Sequence, residues 1–351
     1  MKALVAALGA LACASCSTQT PCTPGGDGTY VNALYPKLSD YCMVSIEDSQ
    51  IVAEDGVVPY DETTPLFSDY ATKSRTVWLP PGTSATYTSD GPFEFPVGTI
   101  VTKSFGWNDK WVETRVLVNT ANGWTGSSYL WNEDQTEAVY QPGGTYVDLA
   151  FTEPDGTPVT TTYLVPNKNE CIKCHEDLGT IVPIGLRADR INKDFTYPSG
   201  VTENEITHWS NLGILSGAPT PDQAPVLATF SDTTLPTETR ARAYLAANCA
   251  HCHSATGEAR NTGLLLADDV TNPYQFGQCK TPVATGKASS DLSFDIVPGQ
   301  PDQSIMVYRM SSTTPSIMMP EIGRSLVDTE GVQVVSDWIA GLTGTCSAPA
   351  N

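Results

Sequence analysis

The sequence predicts a multidomain chain, with a β-rich N-terminal domain closed as a sandwich or open barrel, followed by mainly α segments. Three observations carry this expectation. From about Tyr30 to Pro166, short runs of β-branched and aromatic residues are separated by Gly, Pro and Asn turn chemistry. Beyond that point Cys-x-x-Cys-His occurs twice, at 171–175 and 249–253. The stretch from 236 to 346 then opens and closes on helical patterns.

The first sixteen residues read as an export leader and stand outside the fold. Met1-Lys2 gives a positive start, and Ala3 to Ala12 is an apolar run too short to span a bilayer. Cys16, and secondarily Cys13, resemble lipoprotein acceptor cysteines, so a lipid anchor to the membrane is expected at one of them, with plain secretion as the alternative. Either route leads to a periplasmic or otherwise exported, oxidising compartment. There Cys22, Cys42, Cys279 and Cys346 are candidates for disulfides. Chain order suggests Cys22 with Cys42 and Cys279 with Cys346, and the other pairings stay open.

Residues 17–166 form the expected β-rich domain. Its strands include Thr99 to Thr102, Val112 to Val118, Ser128 to Trp131, Tyr146 to Leu149 and Thr160 to Leu164. Turns fall at Pro80-Pro81-Gly82, Asn122-Gly123, Gly143-Gly144 and Pro154-Asp155-Gly156. The region has no His and no titratable cluster with catalytic spacing, so its aromatics read as core.

Residues 167–235 hold the first motif, Cys171-Ile172-Lys173-Cys174-His175, and a helix expected from Glu203 to Leu212. The Pro- and Thr-rich stretch from Gly217 to Pro236 reads as a linker. In the last segment a helix is expected over Thr237 to Asn248, leading into Cys249-Ala250-His251-Cys252-His253. Asp328 caps a second, amphipathic helix bearing Val332, Val335, Trp338, Ile339 and Leu342.

The motif has a chemical reason. Two thiols three positions apart reach the two vinyl groups on one porphyrin edge, and the imidazole that follows holds iron from the proximal side. Two haem c groups are therefore expected, attached through Cys171, Cys174, Cys249 and Cys252, with His175 and His253 as proximal ligands. His208 is the remaining histidine placed to cap the first iron. Met319, in Met318-Met319-Pro320, is the expected distal ligand of the second, ahead of Met318 and Met310. His/Met ligation would hold the second iron at a higher potential than a His175/His208 pair. Arg187 and Arg190 are candidates to neutralise propionates. Four thiolates holding one zinc is the alternative, which the long interval from Cys174 to Cys249 disfavours.

The helix running into the second motif, the late Met-Pro and the closing helix resemble the class I cytochrome c layout over residues 236–346. The whole chain is also similar to a family of bacterial diheme c-type cytochromes of unknown physiological role. That likeness rests on Pro65 to Tyr70, Tyr129 to Ala138, Asn248 to His253 and Met318 to Glu321. It implies mainly α cytochrome c-type haem domains behind the β-rich half, haem c binding, export and electron transfer.

A net charge of −20 and a pI near 4.4 argue against nucleic acid and suit basic redox protein partners or, more plainly, solubility. Two function classes follow. One is an electron carrier in the cell envelope. The other is a peroxidase-like diheme enzyme with the far side of its first haem open.

Overall fold

The computed structural model describes residues 22–283 and 286–347, so the leader with Cys13 and Cys16 lies outside the described residues. The N-terminal half is β-rich, as its alternating runs require. Its strands are β1 (Val44–Glu47), β2 (Gln50–Ala53), β3 (Val58–Pro59), β4 (Thr72–Trp78), β5 (Ala85–Thr86), β6 (Ile100–Trp107), β7 (Lys110–Thr120), β8 (Gly123–Trp131), β9 (Ala138–Tyr140), β10 (Thr145–Thr152) and β11 (Pro158–Val165). The main sheet is open and antiparallel, in the order β3-β4-β6-β7-β8-β9, while β1–β2 and β10–β11 form separate hairpins. Asn108 and Asp109, both at positive φ, make the two-residue turn from β6 to β7.

Period-two alternation gives this sheet two buried faces. Ile100, Val116, Val118 and Tyr129 pack under an N-terminal cap containing Tyr30, Leu38, Tyr41 and Met43. Val77 and Val101 face the other way, onto Leu186, Ile191, Ile206 and Trp209. Each such large side chain, fully buried, contributes roughly 1.5–3 kcal/mol. The segment carrying the first motif is thus packed directly on the sheet.

The expectation of mainly α domains beyond residue 167 is corrected. Among the described residues the helices are α1 (Lys168–His175), α2 (Ala188–Ile191), α3 (Glu205–Asn211), α4 (Thr237–Asn248), α5 (Ile305–Met310) and α6 (Thr329–Gly341), and strand dominates the molecule as a whole. Between α4 and α6 the chain is largely turns and short 3₁₀ segments. The cause is local: Gly263, Gly277, Cys279, Ser290, Asp291, Gly299 and Gly323 all take positive φ, which ends a right-handed helix wherever it occurs.

What helix there is packs well. Ala241 and Leu245 of α4 share one core with Val334, Val335, Trp338 and Ile339 of α6. Asp328 caps α6 by accepting the Gly331 N–H at 2.9 Å. The helices approach so closely at Gly331 that a Cβ there would collide with the Tyr244 ring. Disulfides join Cys22 to Cys42 and Cys279 to Cys346.

Two contacts lock the halves together, and a third ties the locking stretch to the sheet. Asn248, buried at the end of α4, accepts the Phe67 N–H at 2.7 Å. The Asp69 carboxylate accepts N–H groups from Ser325 and Leu326 at 2.8–2.9 Å. Trp107 Nε1 donates to the Asp69 carbonyl at 2.7 Å. The stretch Pro65 to Tyr70 is therefore an interlock between sheet and C-terminal segment.

Candidate functional site

Helix α1 begins at a reciprocal cap. The Asn167 side chain accepts from the N–H groups of Asn169 and Glu170, and the Glu170 carboxylate accepts the Asn167 N–H at 2.8 Å. One helical turn then brings Cys171 and Cys174 to the same face, with His175 closing the helix. His175 Nδ1 lies 2.7 Å from the Val182 carbonyl, which can only accept. Nδ1 therefore carries the proton, and Nε2 keeps its lone pair. Burial lowers the pKa of this imidazole, opposed by the Val182 bond, so the ring is held in its neutral, metal-ligating form.

The second motif follows α4 without a break. Cys249 is the C-cap, with its N–H on the Leu245 carbonyl, and His253 N–H returns to the Cys249 carbonyl at 2.9 Å. Burial pushes the Cys249 thiol up to about 12 and His253 down to about 4, with His251, Arg309 and Lys280 adding to the latter. His253 Nδ1 is buried and has no hydrogen-bond partner among the described residues.

The two motifs, distant in sequence, meet. Cys252 Sγ lies 3.3 Å from the Lys173 carbonyl, Leu178 N–H donates to the Thr256 carbonyl at 3.2 Å, and Arg260 pairs with Glu176 at 3.4 Å. The neighbouring Cys252 and His251 side chains hold the Cys174 thiol well below its usual range. The four cysteines do not gather round one point. Among the described residues no group of three or more Cys, His, Asp or Glu side chains is arranged to hold a metal ion, so a single four-thiolate zinc site is not assembled.

A cavity of about 540 Å³ lies between the sheet and these motifs, within the range of small-molecule and cofactor sites. Cys171, Cys174 and His175 line one side, and His251, Met310 and Met319 another. Met318 is buried and is not part of the lining. Arg324 fastens the Met319 loop, its guanidinium donating to the carbonyls of Met310, Ser312, Met319 and Leu326. Arg187 and Arg190 also line the cavity, both paired to Asp189, at 2.7 and 3.2 Å.

His208 is not brought to this cavity. Its Nδ1 is 2.9 Å from Glu203 and its ring stacks on Tyr197 with centroids 3.5 Å apart. The sequence also pointed away from the β-rich half, yet that half builds the opposite wall with Glu62, Val101, Lys103, Phe105, Arg115 and Leu117. Only alternation along β6 and β7 could have signalled this. It puts Val101, Lys103 and Phe105 on one face without saying what that face meets.

No protein-family model, curated protein or solved structure matches the chain. Among the described residues no helix is long and apolar enough to cross a membrane.

Proposed function

We propose that the chain is an exported diheme c-type cytochrome that carries electrons in the cell envelope. In this reading Cys171 and Cys174 hold one haem c and Cys249 and Cys252 a second, with His175 and His253 as proximal ligands. The observation that carries the reading is the hydrogen bond from His175 Nδ1 to Val182, which reserves Nε2 for iron beside two thiols that line the same cavity. Bound haem supplies an iron that accepts and returns one electron. The protein's own residues hold it, keep water from it and set the charge around it. Met319 is the proposed distal ligand of the second haem, supported by the Arg324 clamp on its loop; Cys249, Cys252 and His253 do not line the cavity that Met319 lines. His208 does not enter this reading, because Glu203 and Tyr197 already engage its ring.

Export is supported by the two disulfides, which persist in oxidising compartments. A lipid anchor at Cys16 or Cys13 and docking to basic redox proteins remain part of the proposal, the latter on the net charge of −20. The engagement of His208 also favours a second reading, a peroxidase-like enzyme whose first haem is open on its far side.

Mass and pyridine haemochrome spectra of protein matured in a host that attaches haem c test both. Two haems are expected in the wild type, and one in each of the Cys171→Ser/Cys174→Ser and Cys249→Ser/Cys252→Ser pairs. Colourless protein, or two haems in either pair, rejects the attachment scheme. A high-spin signal that changes with peroxide selects the enzyme over the carrier.

A further inference from the structure

The sheet wall of the cavity contains an arrangement that the electron-carrier reading does not use. Arg75 of β4 pairs in register with Lys103 of β6, and Lys103 with Arg115 of β7, so three cations stand side by side across adjacent strands. Like charges placed directly opposite destabilise a sheet unless something neutralises them. Arg75 is neutralised by Asp61 and Glu62 at 2.6 and 2.7 Å. Arg115 is neutralised by Glu113 at 2.9 Å and held by the Tyr163 hydroxyl at 3.0 Å.

Lys103, the middle one, forms no ion pair among the described residues. Its ammonium lies 5.6 Å from the centre of the Phe105 ring, and the carboxylate that bears on it most, Glu62, is committed to Arg75. Burial pushes this ammonium down to about 7, with Arg75, Lys73 and Arg115 adding to the push and Glu62 opposing it. Lys103 and Arg115 both line the cavity that Cys171, Cys174 and His175 line. A cation row with one unneutralised member, facing an enclosed space, concentrates positive potential there.

We propose that Lys103, flanked by Arg115, is a carboxylate seat in this cavity. A carboxylate meeting the Lys103 ammonium would complete the neutralisation that Arg75 and Arg115 already have, and would keep the lysine charged. It has two possible sources. A propionate of the first haem is one, and that arm rests on the diheme reading. A free small carboxylate from solution is the other, and that arm does not.

The test uses the full chain matured in a haem-attaching host, as wild type, Lys103→Met and Lys103→Arg, with acetate as the probe. If the seat holds a propionate, Lys103→Met keeps the haem count but lowers the midpoint potential of one haem. The oxidised-to-reduced ratio at fixed potential then rises about tenfold. Lys103→Arg restores the wild-type value, and acetate has no effect on any of the three. If the seat takes a free carboxylate, acetate raises the unfolding midpoint of wild type saturably, and Lys103→Met abolishes that rise. This second readout works whether or not haem is attached, so failure of the diheme reading is seen separately in the haem count. If Lys103→Met moves neither a potential nor the acetate response, the seat is overturned.

Discussion

Glu205 shows how much a single buried carboxyl can govern. Its side chain accepts the Asp61 N–H through Oε1 at 2.9 Å, while Oε2 is buried with no partner among the described residues. Burial pushes its pKa up to about 9, against the Asp61 N–H, Lys193 and Arg75 and with the Asp61 charge adding to the rise. The folded chain therefore keeps a proton that the unfolded chain loses at about 4.5. The resulting contribution to stability is complete below about 4.5 and is lost as pH rises through about 9. Glu205→Gln is expected to remove this dependence, so that between pH 5 and pH 9 it gains on the order of 5 kcal/mol of stability relative to wild type. Urea unfolding of both proteins across that range checks it, and parallel pH profiles would count against it. Gly331→Ala is the opposite case: its Cβ would land on the Tyr244 ring, itself buried. A loss of about 2–3 kcal/mol is expected in the same assay. At this scale the sequence was legible where chemistry is strictly local. The Cys-x-x-Cys-His pairs and the Asp328 cap needed only their neighbours. His208 was not legible, because the partners that occupy it, Glu203 and Tyr197, are ordinary residues whose geometry depends on the turn before α3.

Among the elements, α1 is short and owes its start to the Asn167–Glu170 reciprocal cap. Asn167→Ala should cost about 1 kcal/mol. Faster amide exchange over residues 168–175, with α4 unchanged, would report it. The loop region between α4 and α6 depends instead on the Cys279–Cys346 bridge, which ties it to the chain beyond α6. Replacing both cysteines by Ser should cost about 4 kcal/mol by the loop-entropy argument. A fall of less than about 1 kcal/mol would mean that the loops hold themselves. Helix α6 was readable because a cap and an apolar stripe agree within one window, and α4 because small alanines recur along it. The turns between them were not. Gly, Ser and Asp there mark turns one at a time, but the long path between the helices is set by how those turns combine, with Cys279 at positive φ carrying no such mark.

For the molecule as a whole, the Asp69 and Asn248 contacts join the sheet half to the C-terminal segment, and Leu326 packs on the cluster that contains Phe105 and Trp107. Unfolding is therefore expected as one cooperative transition, and Asp69→Ala should split it or lower it by about 3 kcal/mol. Calorimetry decides, and two transitions in the wild type would contradict this coupling. The β-rich character of the first half was legible in its alternation. Its use as a cavity wall was not, because Lys103 on β6 and Cys171 on α1 come together only when the chain beyond the sheet folds back over it.

That wall depends on parity. Arg75, Val77, Val101, Lys103, Phe105, Arg115 and Leu117 are all odd-numbered, and pairing through β4, β6 and β7 keeps them on one side. Gly106, where the ladder shifts by a bulge, has no room for a Cβ, with Lys110 O 2.8 Å from where it would sit. Adding or deleting one residue between Lys103 and Arg115 would turn β7 over, sending the Arg115 guanidinium toward the Tyr30–Tyr41 cap and bringing Thr114 to the cavity. The protein's charge lining is thus inherited from counting: a frame error of one in a hairpin would break it and leave both cysteine motifs intact.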